Sequence, residues 1–174
     1  MAITLASASL PIFTTALSNL SHCLDKAAAN AAARGFDANV LLGTRLAPDM
    51  LPLAAQVRIA CDVAKYGAAR LAGIDAPRHE DNETTLAELQ ARIASTQAFL
   101  AGVPADKIDG REEADITFPV GRERTPRTMK GEAYLKHWAL PNLFFHVTTA
   151  YALLRHNGVD LGKTDYLLGA HAAG

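Results

Sequence analysis

The sequence predicts an all-α fold, a four-helix bundle with a short irregular or β-hairpin insertion between the third and fourth helices. Four segments carry apolar residues every three or four positions, which is the period of an α-helix. Residues that commonly start or stop helices stand at the ends of these segments. The 174 residues, 49% of them hydrophobic, suffice for one sizeable core, so residues 1–174 are expected to form a single domain.

The first helix is predicted to begin at Leu10 and to end before Gly35, a residue type that favours helix C-termini. Its apolar positions are Leu10, Phe13, Leu17, Leu20, Leu24, Ala28 and Ala31. After a turn-rich link, Asp49 is expected to cap the second helix. The core positions of this helix are mostly small: Leu53, Val57, Ala60, Ala64, Gly67 and Leu71. Small side chains either allow close approach of a neighbouring helix or leave room for a ligand.

Thr85 and Glu88 have the spacing of a capping box and predict the start of the third helix, which ends near Gly102. In the segment that follows, Ile116, Phe118 and Val120 alternate with polar residues or proline, which favours a short strand or hairpin. Residues 131–136 are then expected to form a helical turn.

The fourth helix lies in the stretch LPNLFFHVTTAYALLRHNGV, residues 140–159. Pro141 marks its start and Gly158 its end. The predicted main stripe is Leu140, Phe144, Val147, Tyr151 and Leu154. Because apolar residues surround this helix nearly completely, it needs cover on more than one side, from the other helices of its bundle or from a second subunit in a homodimer.

Composition excludes several classes of protein. Lys and Arg number 17 against 18 acidic residues, so no excess of positive charge indicates nucleic-acid binding. No stretch approaches the roughly 18 apolar residues of a membrane span. Cys23 and Cys61 lack the spacing of metal ligands and fall inside helical patterns, which is typical of small buried side chains in a reducing compartment. A cytoplasmic location is therefore expected.

Polar residues in the fourth helix provide the candidate site. Asn142 and His146 are four residues apart and project from one side of that helix. Gln56 falls on the core-facing side of the second helix and needs a polar partner. If the two helices are neighbours, Gln56, Asn142 and His146 line one ligand-binding pocket. The alternative is that these side chains only hydrogen-bond one another or the backbone.

Other chemistry finds less support in the sequence. No two histidines share a face of one helix, as a metal site would require, and glycine-rich phosphate loops and nucleophile elbows are absent. Arg122, Arg124, Arg127 and Lys130 surround the single acid Glu123 in the insertion. They could bind an anion or form a solvated loop.

Two stretches carry a family resemblance: LPNLFFHVTTAYALLRHNGVDLGKTDYL, and MLPLAAQVRIACDVAKYGAARLAG upstream. They resemble a bacterial family of domains of unknown function in the DinB-like superfamily of helical bundles. The resemblance implies a four-helix bundle and frequent homodimers. In superfamily relatives it also implies a metal held by one histidine on helix two and a His-x-x-x-His pair on a later helix. Some of those relatives are thiol-dependent transferases.

This chain departs from the metal-binding pattern. Asn142 stands where the first histidine of the pair is expected, Gln56 fits the helix-two position, and only His146 remains. No metal and no other cofactor is therefore predicted. Two functions stay open: a small-molecule pocket lined by Gln56, Asn142 and His146, with or without catalysis, or a non-catalytic homodimeric structural or interaction protein.

Overall fold

A computed structural model describes residues 2–173 and has the predicted fold class, a helical bundle with a β-hairpin insertion. The helices are α1 Leu10–Arg34, α2 Leu53–Ala72, α3 Leu86–Ala101, α4 Gly131–Tyr134, α5 Leu140–His156 and α6 Lys163–Leu168. The strands β1 Asp115–Val120 and β2 Thr125–Lys130 form the hairpin. Short 3₁₀ segments occupy Ala38–Gly43, Ala105–Lys107 and Gly169–Ala173, and Leu135–Ala139 forms a π-helical turn. None of these helices is both long and apolar enough to cross a bilayer.

The four long helices form one core. α2 packs against α5 and α3, while α1 packs against α3, α5 and α6. The predicted small-residue positions of α2 are all buried. Gly67 shows why: a Cβ atom there would lie 2.9 Å from the ring of Phe13 on α1. The small residues of α2 therefore serve close helix packing at this point.

Helix ends follow the predicted signals in most places. Gly35 adopts the left-handed conformation after α1, and Thr85 and Glu88 form a complete capping box before α3. The prediction for Asp49 was wrong. α2 begins at Leu53 after Pro52, whose extended backbone stands at the N-cap. A proline disfavours the helical conformation of the residue before it, so the helix starts four residues after Asp49.

The predicted stripe of the fourth helix, α5, was also partly wrong. Val147 and Leu154 are buried, but Phe144 is 41% exposed. The residues that α5 buries are Leu143, His146, Val147, Thr149, Ala150, Leu153 and Leu154. The stripe is rotated because α2 covers one flank of α5. Since the helix is apolar nearly all round, its sequence alone could not fix the rotation.

The insertion before α5 is an antiparallel hairpin in which Ile116 pairs with Met129 and Phe118 with Arg127. Ile116 and Phe118 are buried, and the Phe118 ring contacts the rings of Tyr134 and Trp138 at centroid distances of 4.9 and 5.0 Å. In the π turn, Leu140 donates its N–H to the carbonyl of Leu135. Pro141 has no N–H to continue the α-helical pattern, which accounts for the change of helix type.

Candidate functional site

Gln56 of α2 and His146 of α5 are in direct contact. Nδ1 of His146 lies 2.7 Å from Oε1 of Gln56. The amide of Gln56 donates from Nε2 to the carbonyl of Leu51, at 3.0 Å. Both side chains are buried, Gln56 at 2% and His146 at 9% exposure. The sequence prediction that these two polar residues of neighbouring helices meet is therefore confirmed.

The hydrogen bonds define the protonation of His146. A carbonyl oxygen only accepts, so the contact with Leu51 fixes which end of the Gln56 amide is the donor. Oε1 of Gln56 is then an acceptor, and Nδ1 of His146 must carry the hydrogen. In the neutral ring, Nε2 holds a lone pair. Among the described residues Nε2 has no hydrogen-bond partner, and it is not sealed from solvent.

Burial sets the charge of this imidazole. Desolvation lowers the pKa of His146 from 6.5 to about 4, so the ring is neutral at pH 7. A neutral imidazole with its hydrogen on Nδ1 accepts a hydrogen bond at Nε2. An efficient general base has a pKa close to the working pH. Since the pKa of His146 is about 4, the ring is a weak base at pH 7.

Asn142 lies one turn before His146 but takes no part in the contact. Its side chain is half-buried and forms no hydrogen bond with any residue of the described chain. Of the three predicted site residues, the structure joins Gln56 and His146 by a hydrogen bond, and Asn142 lies one turn away on α5 without a hydrogen bond to the pair.

The donor set does not fit a metal ion. Gln56 and Asn142 offer amide groups, and the Nδ1 hydrogen of His146 already faces Gln56. Zinc and similar ions favour several imidazole, thiolate or carboxylate ligands. Within residues 2–173, no three His, Cys, Asp or Glu side chains are grouped as such a site requires.

The two cysteine thiols are also unsuited to nucleophilic catalysis. Cys23 and Cys61 are free and buried, as their sequence context predicted. Burial raises the pKa of Cys23 to about 11 and that of Cys61 to about 12. Both are protonated at neutral pH, whereas the thiolate is the nucleophilic form.

Two surface cavities lie beside α5, and neither is lined by Gln56, Asn142 or His146. The first has a volume of about 310 Å³ and lies between α1, α5 and α6. The second, about 450 Å³, lies over the outward side of α5 next to Leu46. The pocket predicted from the sequence therefore coincides with neither cavity.

An apolar surface covers the outward side of α5. We call it the α5 outer face, and it consists of Leu46, Pro141, Phe144, Phe145, Thr148 and Ala152. The rings of Phe144 and Phe145 are 41% and 56% exposed, and Leu46 is 42% exposed. Leu46 could not be assigned to this face from sequence, because it lies in the irregular link before α2.

Charged residues cluster elsewhere. Lys65 of α2 is fully buried and contacts Asp62 at 2.9 Å and Nδ1 of His79 at 3.1 Å. Arg92 of α3 pairs with Asp62 and with acidic residues of the loop 73–85. This cluster holds the loop against α2 and α3, and neither cavity adjoins it. In the hairpin, Arg122, Arg124 and Arg127 are exposed, while Lys130 pairs with Asp115.

Comparisons with known proteins agree with the fold and with the resemblance. Residues 5–167 match the family model described as a domain of unknown function, DUF1993. No curated protein matches the chain. A crystal structure of a DinB family member protein from Shewanella denitrificans, at 1.83 Å resolution, is 44% identical in sequence. The match covers 94% of this chain and 91% of that one, with a TM-score of 0.85.

Proposed function

Because the chain belongs to the DUF1993 family, within the DinB-like superfamily, we propose that it is a non-catalytic, metal-independent bundle that forms a homodimer through the α5 outer face. In this proposal the superfamily metal triad has been lost. Gln56 and Asn142 stand at two of its positions, and His146 now joins α5 to α2.

The observation that carries the proposal is the exposure of Phe144 and Phe145 on adjacent positions of one helix. Leu46, Pro141 and Ala152 extend the apolar surface around them. Contiguous apolar surface rimmed by polar residues is characteristic of protein interfaces, where aromatic side chains are enriched. None of the six residues is charged, so a second copy could be apposed without desolvating an ion.

The absence of a suitable catalytic group among these residues supports the non-catalytic part. The Gln56 amide is hydrogen-bonded on both sides, and the low pKa of His146 makes it a weak base. The thiols are protonated. A buried pair that joins two helices contributes to packing specificity without requiring a ligand.

The test is the molar mass in solution, measured by light scattering over a hundredfold range of protein concentration. Wild type is expected at twice the chain mass. Phe145→Glu should shift it to the monomer, because a carboxylate in the centre of an apolar interface loses its hydration. The matched control is Val40→Glu. Val40 is 62% exposed in the Ala38–Gly43 segment, which packs on α1, α2 and α3. A monomeric wild type, or equal masses for the two variants, contradicts the proposal.

A second candidate is binding of a small molecule at Gln56, Asn142 and His146. The observation that favours it is the lone pair of His146 Nε2, which has no hydrogen-bond partner among the described residues and is not sealed from solvent; Asn142 lies one helical turn away. A thiol, hydroxyl or ammonium could donate to that nitrogen. Thermal-shift measurements with small thiols would test it. Binding should raise the unfolding midpoint of wild type when the thiol is added. Adding the same thiol to Asn142→Ala or to His146→Ala should leave the midpoint of that variant unchanged.

A further inference from the structure

The cavity between α1, α5 and α6 has features of a ligand site that is separate from the Gln56 and His146 pair. Its volume is about 310 Å³. Apolar side chains form most of its wall, among them Ile12, Ala16, Phe144, Val147 and Leu167. The polar side chain that matters is Asn19, which α1 places against the backbone of α6.

Asn19 presents an unused acceptor in this apolar setting. The residue is only 7% exposed. Its Nδ2 donates to the carbonyl of Tyr166 at 2.9 Å, and this bond fixes the orientation of the amide. Oδ1 lies against the backbone of Gly169 and accepts no hydrogen bond from any residue of the described chain, yet it is not sealed from solvent. A nearly buried acceptor without a protein partner is expected to be served by water or by a ligand.

We propose that this cavity binds a compact apolar molecule of one or two rings that carries one N–H or O–H donor for Oδ1 of Asn19. The volume lies at the lower end of the range of small-molecule sites, about 300–1,000 Å³, which suits such a molecule better than a peptide segment. No charged side chain lines the cavity, so an ionic ligand would lose hydration without gaining a partner. The apolar wall provides affinity, and Asn19 provides selection for a donor.

The donor requirement can be tested with two isomers of equal size, 3-methylindole and 1-methylindole. Only the first has an N–H. Binding to ¹⁵N-labelled wild type would be measured from saturable NMR shifts. We expect the amides of Ala16, Asn19 and Leu167 to shift, and 3-methylindole to bind about fivefold more tightly, which corresponds to one neutral hydrogen bond. Equal affinities for the two isomers, or no saturable binding, would overturn the proposal.

The location can be tested with a matched pair of cavity-filling variants. Ala16→Leu places a larger side chain in the proposed site, and Ala152→Leu does the same in the second cavity. We expect Ala16→Leu to weaken 3-methylindole binding at least tenfold and Ala152→Leu to leave it unchanged. The reverse pattern is contrary to the proposal. If Ala16→Leu does not fold, the isomer comparison on wild type decides.

A second copy of the chain is the competing occupant. In that case the amides lining the cavity would shift with protein concentration in the absence of indoles, and 3-methylindole would bind more weakly as the protein is concentrated. That result would assign the groove to the homodimer and refute the small-molecule site. Because Phe145→Glu lies outside this cavity, its effect on molar mass can fail or succeed independently of indole binding.

Discussion

His146 of α5 donates its Nδ1 hydrogen to Oε1 of Gln56 of α2 across 2.7 Å, and both side chains are nearly withdrawn from solvent. The two residues are 90 positions apart in the chain. Their contact joins the two helices that share the most extensive packing in the bundle. Replacing either residue should therefore be felt in the free energy of unfolding.

We expect His146→Ala to lower the free energy of unfolding by about 1 to 3 kcal/mol. The substitution removes a buried ring and leaves Oε1 of Gln56 without its donor. Chemical denaturation followed by circular dichroism would measure the change. The matched control is His137→Ala, since His137 is exposed and should have almost no effect. Coinciding unfolding midpoints for His146→Ala and wild type would show that the pair does not contribute to stability.

The low pKa of His146 predicts that the protein loses stability in mild acid. Above pH 6.5 the ring of His146 is neutral in both the folded and the unfolded chain. In that range the free energy of unfolding does not depend on pH through His146. Between pH 6.5 and about 4 the unfolded chain binds a proton that the folded chain does not. The free energy of unfolding should fall by about 3 kcal/mol across this interval.

Denaturation midpoints of wild type and His146→Gln, measured from pH 8 to 4, would test this effect. Glutamine can still donate to Gln56 but does not titrate, so the variant should show a smaller slope. Some dependence of the free energy of unfolding on pH should remain in the variant, because desolvation also lowers the pKa of His79. Parallel curves for the two proteins would rule out His146 as the source.

Asp165 affects stability only at lower pH, because hydrogen bonds from Gly162, His22 and Lys26 lower the pKa of its carboxyl group to about 2. Its contribution is lost only below about pH 3.8.

The double substitution Gln56→His and Asn142→His should create a response to zinc. Gln56 already touches His146, and Asn142 stands one turn away on the same helix, so three imidazoles would converge. Added zinc is expected to raise the unfolding midpoint of the double variant by mass action and to leave wild type nearly unmoved. Wild type should also hold well under one zinc or nickel per chain.

Metal analysis of protein purified without a histidine tag completes this test. Stoichiometric metal in wild type would mean that another residue completes a ligand shell. A double variant that folds but ignores zinc would mean that position 142 cannot reach the metal, since the contact between positions 56 and 146 is present in the fold.

Local patterns in the sequence were sufficient for most of the elements. The three- and four-residue spacing in α1, the capping box of Thr85 and Glu88, and the alternation of Ile116 and Phe118 each reflect interactions between residues close in the chain. Such patterns predict helices and strands directly. The prediction that Asp49 caps α2 was wrong because Pro52 disfavours the helical conformation of the residue before it, and α2 begins only at Leu53.

The pairing of Gln56 with His146 was also predictable, because a polar residue on a core-facing position needs a partner and each helix offered such a residue. Asn142 lies on the same side of α5 as His146, but whether its side chain reaches Gln56 depends on how closely α5 packs against α2 at that turn. Helical spacing gives the direction in which a side chain projects but not its distance from the neighbouring helix.

The sequence by itself therefore determined the four long helices, and it indicated a possible hairpin and the amide and imidazole that meet if α2 and α5 are neighbours. These predictions depend on spacing and on the need of buried polar groups for partners; the short helix α6 was not predicted. Tertiary structure decided which side of α5 faces outward. It exposed Phe144 and Phe145, brought Leu46 beside them, and set Asn19 at the wall of a cavity. The exposure of Phe144 and Phe145 depends on the rotation of an almost uniformly apolar helix, and only its packing against α1 and α2 fixes that rotation. The positions of Leu46 and Asn19 depend on how the link before α2 and helix α1 pack around α5.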